Sequence, residues 1–372
     1  MVKRRTVLWG LLGVAIASCR PSSSFPLRVK LLARSVPSQV LKAFNRQTPA
    51  QFDPASTLAD IYQQLQRWQS PLPITQPLWR RLLPIAGSKT EDTNIQTVDT
   101  HLVTLSDPWL DHAIRHQLIQ PLPALSFVDM LPETWQSLLR RDQDGQSELW
   151  AVPYRVQGLM IAYQKPMFKA STKAITKWAD LWRPELAGRI AMPNQPRLVA
   201  SIVLKALGYS ANDEAALAQD DVQEQLSALY RQVRVFDSED HLKALVNEDV
   251  WLAVGWSGDI LATLVRYRKL GMVHPQEGTV LTTDLWVAPA NADFTDATQA
   301  WMEFCWEPAM ATQISVSTYG LSPLFFLPGS TVPEQLPQET ARMPDHSEVL
   351  LPLSNRGQTL LSDLFNVDLL PE

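Results

Sequence analysis

The residues best equipped for chemistry stand together in Val254-Gly255-Trp256-Ser257-Gly258-Asp259. A tryptophan beside a carboxylate suits a cationic amine. The ring face attracts the ammonium by about 0.5–2 kcal/mol, and the acid pairs with it. An indole wall also stacks on an alkyl chain. Gly255, Ser257 and Gly258 form loops rather than cores, which favours a cleft position for Trp256 over a place in the interior. Asp259 has a second reading, because an acid in the first turn of a helix stabilises the helix dipole. Asp107 carries a similar ambiguity. It offers a second carboxylate from another loop, or it caps the helix that Pro108 opens.

No catalytic apparatus accompanies these residues. His112 and His116 have helical i, i+4 spacing, but no glutamate stands between them as in a zinc-protease motif, and two surface histidines explain them better. Asp142-Gln143-Asp144-Gly145 resembles the start of a calcium loop without its remaining ligands, which leaves a plain turn. There is no G-x-S-x-G elbow, Gly-rich phosphate loop or dinucleotide fingerprint. The reading is a binding protein without metal or cofactor, not an enzyme.

Binding residues of this kind need strand ends and helix starts to hold them, and the chain supplies both. Val29 to Ala33 reads as a strand, and Pro37 opens a helix with Val40, Leu41 and Phe44 on one face. Leu58 to Trp68 is a second amphipathic helix, and the stretch Ser70 to Pro84 is proline-rich and hard to assign. His101 to Leu105 reads as a strand leading into Asp107-Pro108. Trp150–Pro153 and Gly158–Tyr163 read as two extended segments. A second alternating set follows, with strands at 189–192, 233–236 and 251–255 and helices at 197–207, 213–231 and 241–246. A β-rich run at 279–288 leads into helices at 296–305 and 308–317. Short strands alternating with helices predict α/β lobes with largely parallel sheets.

Composition agrees with a globular protein. The 372 residues are 45% hydrophobic and 19% charged, enough for two lobes with their own cores. A net charge of −5 gives no electrostatic support to nucleic-acid binding. At the N-terminus, Lys3, Arg4 and Arg5 precede an apolar stretch from Val7 to Ile16 and then Ala17-Ser18-Cys19. This is the layout of an export leader over residues 1–19. Its end resembles a bacterial lipobox, which makes Cys19 the expected site of lipid attachment. Lys3-Arg4-Arg5-Thr6-Val7-Leu8 also looks like a twin-arginine signal with Val7 in place of the usual Phe, so both the general secretory and the twin-arginine routes stand. Removing residues 1–19 takes three basic residues from −5 and leaves −8. Residues 20–26 read as a tether. Cys305, the other cysteine, has no disulfide partner and falls on a helix near Trp301, the pattern of a small buried hydrophobe.

Several segments then carry a family likeness. Ala151-Val152-Pro153-Tyr154-Arg155, Lys177 to Ile190 (KWADLWRPELAGRI), Lys205 to Ser210 (KALGYS), Val254 to Asp259 and Pro275 to Thr279 (PQEGT) resemble bacterial periplasmic spermidine/putrescine-binding proteins, in the same order and at similar spacing. The likeness runs from about Val29 to Leu324 and is densest in the middle. It implies a periplasmic-binding-protein fold of type II, two α/β lobes with a ligand cleft between them. Lobe 1 is expected to comprise 27–156 plus 283–331, and lobe 2 157–282 plus 332–372, with crossings near Val156 and Thr282. The implied protein is a monomeric, lipid-anchored periplasmic receptor that delivers a polyamine or related amine to the permease subunits of an ABC transporter.

The resemblance also places Ser106, Arg197, Ser238, Trp256 and Asp284 where the family has pocket residues. Elsewhere the pocket departs from it. Gln195 and Leu198 replace typical acids. Leu32, Ser35, Pro108, Thr282 and Gly320 replace aromatics, and Val156 stands where many relatives have Trp. Asp284 is then the best remaining partner for a ligand ammonium, with Asp107 and Asp259 as further acids. One or two acids suit a monoamine, an amino-alcohol or a neutral solute better than a triamine or tetramine. A degenerate pocket in a structural or partner-binding lipoprotein is the alternative.

Overall fold

The computed structural model describes residues 26–69, 98–143, 145–168, 173–238, 240–336 and 346–366. The leader, Cys19, the tether up to residue 25, the proline-rich stretch from Ser70 and Asp144 of the turn lie outside these residues. β1 (Leu27–Leu32) turns Leu27, Val29 and Leu31 inward, the alternation of a strand with one face on a core. α1 (Ser38–Gln47) begins after Pro37 and buries Val40 and Phe44, four residues apart on one face. β2 (Ala50–Ala55) has no clear sequence signal, because Asp53-Pro54 interrupts it. It pairs with β1 as the outermost strand of its sheet, where a proline's missing donor is tolerated. α2 (Leu58–Gln69), β3 (Leu102–Ser106) and α3 (Asp107–Arg115) follow. Next come β4 (Ile119–Gln120), α4 (Ser126–Asp129), α5 (Glu133–Leu139) and the hairpin β5 (Arg140–Gln143) with β6 (Gln146–Leu149).

The two extended segments read from the sequence are one strand, β7 (Val152–Gln164). It carries the chain into a second α/β set. That set contains β8 (Ile190–Met192), α6 (Pro196–Ala206), α7 (Asp220–Gln232) and β9 (Val233–Phe236). α8 (His241–Val246), β10 (Leu252–Trp256), α9 (Ser257–Arg266) and β11 (Leu270–Val273) complete it. The helix expected from residue 213 starts later. Residues 216–218 form a single 3-10 turn, and α7 opens at Asp220-Asp221, two acids that favour a helix N-terminus. β12 (Val280–Pro289) returns the chain to the first set, followed by α10 (Asp296–Trp306) and α11 (Pro308–Thr318). β13 (Glu348–Val349) and α12 (Asn355–Asn366) end the described chain.

The strands form one path in the order β2-β1-β3-β12-β7-β10-β8-β9. The outer pairs β1–β2, β1–β3, β8–β10 and β8–β9 are parallel, as the alternating pattern predicts. The central pairs β3–β12, β12–β7 and β7–β10 are antiparallel. β7 and β12 enter each set from the opposite one, so they cannot run with their neighbours. β7 pairs with β12 up to Gly158 and with β10 and β11 from Leu159 onwards. Two large hydrophobic cores result, with a smaller third cluster around Met160, Ala191, Leu245 and Ile260 in the second set. One collects residues from Leu27 to Val156 and from Leu281 to Val349, and the other residues from Leu159 to Val280 with Leu350 and Leu364. These are two α/β lobes, the architecture the resemblance implies. Cys305 lies fully buried in the first core.

One irregularity fixes where the lobes meet. Along β12, Asp284 lies opposite Arg155 but Leu285 lies opposite Pro153, so Tyr154 is an extra residue in β7. Such a bulge absorbs the donor that Pro153 lacks. Tyr154 stacks on Trp286 with ring centroids 4.1 Å apart and donates its hydroxyl to Ser35 Oγ at 2.8 Å. Arg155 is thereby aimed at Asp284. Its Nε donates to Oδ2 at 2.6 Å and a terminal nitrogen reaches the same oxygen at 2.5 Å, with both side chains nearly fully buried. Removing one partner of such a pair strands a buried charge. Asp284→Asn is expected to destabilise the protein by about 3 kcal/mol, whereas the double change Arg155→Met/Asp284→Leu recovers most of that loss. Urea unfolding of the three proteins checks this, and equal loss in the single and double variants would refute it.

Candidate ligand-binding cleft

Between the two cores opens a cavity of about 1150 Å3. Its walls are strand ends and helix starts. Leu32 ends β1, Ser106 ends β3 and Trp256 ends β10, while Asn194 and Ser238 follow β8 and β9. Leu58, Pro108, Arg197 and Asp259 stand in the first turns of α2, α3, α6 and α9. In open α/β sheets the ligand crevice lies beyond the carboxyl ends of the strands, and this cavity meets that condition from both lobes. Four helix N-termini, each with partial positive charge, open onto it.

The floor is built from the crossing strands. Thr282 and Asp284 of β12 and Arg155 and Gln157 of β7 line it. Gln157 Oε1 accepts from the Gly258 backbone N–H at 3.0 Å, satisfying one of the free donors at the start of α9. A Cβ on Gly258 would stand 2.3 Å from that oxygen, so only glycine allows the approach. Tyr319 sits in the left-handed region at φ 55° just after α11, and its carbonyl accepts from Ser257 Oγ at 3.4 Å. Gly320 follows, and a Cβ there would lie 2.6 Å from Arg155 Cγ. The residue standing in place of an aromatic thus makes room for the buried guanidinium.

The residues singled out in the sequence divide in their placement. Ser106, Arg197, Ser238, Trp256, Asp259 and Asp284 all line the cavity. Asp107 does not, and it does not cap α3. It is the first helical residue, and its Oδ1 accepts from Thr282 Oγ1 at 2.6 Å, the Thr283 backbone N–H at 2.8 Å and Ser106 Oγ at 3.3 Å. The N-cap expectation gives way because three donors from β12 and Ser106 outcompete the helix's own. Asp284, expected to meet a ligand ammonium, is already held by Arg155. Burial pushes its carboxyl above the usual range, against the opposing pull of that guanidinium. Asp259 is exposed to the cavity and makes no ion pair among the described residues. Trp256 is half-buried, packing on the second core with one side and lining the cavity with another.

Other lining residues gave less sign of themselves. Arg34 follows β1 at φ 66° and is exposed on the rim. His112, read as an ordinary surface histidine, lines the cavity, with Nδ1 bonded to the Tyr62 hydroxyl and its ring 4.2 Å from that of His116. Burial, with His116 and Arg115 nearby, holds its pKa below the ordinary value. Leu32, Pro108, Gln195 and Thr282 line the cavity, whereas Ser35, Leu198, Val156 and Gly320 lie buried behind it.

With the site in view, likeness to known proteins becomes informative. A profile of the family described as bacterial extracellular solute-binding protein matches residues 88–340. The chain belongs to that family. Among curated relatives, the spermidine/putrescine-binding periplasmic protein of Salmonella typhimurium is 26% identical over 217 residues. The matched stretch spans 58% of this chain and 60% of the Salmonella protein. A spermidine/putrescine ABC transporter substrate-binding protein from Streptococcus pneumoniae superposes with a TM-score of 0.68 at 19% identity, over 91% of this chain and 97% of that one. A ferric binding protein from Campylobacter jejuni superposes over 91% and 98% at 0.59, with 15% identity. The last two share the fold and carry differently named cargo, so the fold of a solute-binding protein leaves its cargo open. Transport proteins, not enzymes, make up this family.

Asp107 supplies a pH test of the site's electrostatics. Burial pushes its carboxyl up to about 6, against the hydrogen bonds from Thr282, Thr283 and Ser106. An acid with a folded pKa above its unfolded value favours folding when protonated. Its contribution therefore declines as pH rises from about 4 to about 6 and is constant above that. Relative to Asp107→Asn, the unsubstituted protein should lose about 2–3 kcal/mol of stability between pH 4 and pH 7. Parallel stability curves for the two proteins would show that Asp107 is not perturbed.

Proposed function

We propose that this protein is the solute-capturing receptor of an ABC transporter, closing its two lobes on one small amine-bearing solute and presenting the closed form to the permease. One observation carries the reading. The cavity lies where strands of both lobes end, and the crossing strands β7 and β12 form its floor, so a rotation about the floor brings the walls together. The names of the relatives support an amine as the solute. Trp256 and Asp259 supply an aromatic face and an unpaired carboxylate for one ammonium. A triamine or tetramine asks for more carboxylates than this.

The expected result is a solute-dependent rise in melting temperature together with a smaller radius of gyration by X-ray scattering. A panel of amines, amino acids and small cations that moves neither quantity, together with a tight protein partner on pull-down, would favour the degenerate-pocket lipoprotein instead.

Export and anchoring belong to the same proposal. The basic, apolar and small residues ahead of Cys19 support a leader cleaved before that cysteine, with lipid on its thiol and the lobes in the periplasm. Among the described residues no helix is long and apolar enough to cross a membrane. Mass spectrometry of the membrane fraction should find residue 19 as an acylated N-terminus. Cys19→Ala should abolish acylation, and an unchanged acylated species in that variant would refute the assignment.

A further inference from the structure

The fixed charges around the cavity do not add up to a polycation site. Arg155 and Asp284 cancel each other. Among the described residues this leaves two guanidiniums, Arg34 and Arg197, against one free carboxylate, Asp259. A diamine would meet one partner and two like charges. A dicarboxylate would meet the reverse shortage at Asp259.

Arg197 is the residue that needs explaining. It stands in the first turn of α6, where the helix dipole disfavours a cation. It makes no ion pair among the described residues. One terminal nitrogen has no hydrogen-bond partner, and the other reaches Asn212 Oδ1 only at 3.4 Å. Gln195 and Leu198 beside it bring no negative charge. Burial pulls its pKa down to about 10 against the opposing pull of Glu214 and Glu348, neither of which pairs with it directly, so it stays charged at neutral pH. A cation kept at a helix N-terminus, half-buried and short of partners, costs stability that an anion in the cavity would return. Asp259, by contrast, sits comfortably in the first turn of α9.

Resting on the reading of this cavity as a solute site, we propose that its solute is a zwitterion of the amino-acid type. The ammonium lies against Trp256 and Asp259, and the carboxylate lies at Arg197 and the start of α6. The two subsites belong to one lobe, at the ends of the adjacent strands β10 and β8. Arg34 faces the cavity from the other lobe as a second cation. The arrangement selects for charge of both signs at the two ends of one molecule, and it selects against a chain with ammonium at both ends.

The test uses the full-length chain and solutes of matched length: 4-aminobutanoate, butane-1,4-diamine and succinate, with their five-carbon counterparts. Calorimetry should show an amino acid binding at least about tenfold tighter than the diamine or the dicarboxylate of the same length. Arg197→Glu should reverse the order in favour of the diamine. Arg197→Gln should lose at least about tenfold in affinity for the amino acid while keeping that for butylamine. Ligand-free melting curves establish that both variants fold. A diamine preferred by the unsubstituted protein, or an unchanged ranking in Arg197→Glu, overturns the zwitterion inference and leaves the receptor standing. Silence towards all six solutes also overturns it. The receptor itself falls only if the wider panel and the scattering measurement are silent too.

Discussion

The buried pair of Arg155 and Asp284 is the constraint on which the rest of the architecture turns. Both charges are out of water at the point where the chain passes between lobes, and each is tolerable there only because of the other. Their meeting depends on register. Without the extra residue at Tyr154, the side chains of β7 beyond the bulge would fall on the opposite face, and Arg155 would point away from the floor. Pro153 and Gly320 belong to the same arrangement, one by sitting where a ladder donor is dispensable and the other by leaving space for the guanidinium. An interaction that links β7 to β12 thus also decides which charges remain free for a ligand.

That consequence reaches the cavity walls. With Asp284 neutralised and Asp107 turned onto β12, two of the three acids singled out in the sequence are spent on structure. Asp259 alone is left, in a cavity onto which four helix N-termini open. Helix dipoles and unpaired guanidiniums act in the same direction, favouring negative charge. The overall charge of −5 gives no hint of this, because a summed charge describes the whole surface and not one crevice.

Much of the fold was legible from the residues. The alternation in β1, the i, i+4 pair of Val40 and Phe44, and the proline-opened helices α3, α6 and α11 all follow from local rules, and the structure forms them nearly where they were read. β2 was missed because Asp53-Pro54 looks like a break, and only its edge position makes it a strand. β7 was split because residues 154–157 read as a gap between two extended segments, whereas the strand runs through them and exchanges partners from β12 to β10 just after Gly158. The cavity was half legible. Strand-end rules and the resemblance brought Ser106, Arg197, Ser238, Trp256, Asp259 and Asp284 to it. They did not reveal that Asp284 is taken, since its partner lies 129 residues away and faces it only through a bulge. Arg34 carried no motif and His112 only a helical spacing to His116 without a metal-site pattern, and only the folded loop and helix bring them to the cavity.

The connections between the lobes also bear on how they move. β7 and β12 are buried along nearly their whole length, and the ladder between them continues to Leu281 and Gly158. A rotation of one lobe against the other has to be absorbed just beyond, where β7 changes partners. The C-terminal segment adds a third link. β13 pairs with β12 at Val280 and Leu281, and Glu348 accepts from Lys205 of α6 at 2.7 Å. Lys205 is almost completely buried, and Val349 packs in the first core while Leu350 packs in the second, so the segment bridges the two lobes. The start of α9 is held differently, because Gln157 grips Gly258 from β7 while Ser257 touches Tyr319 of the first lobe. Asp259 and Trp256 therefore stand beside a segment held by both lobes, and Arg34 faces the same cavity from the first lobe.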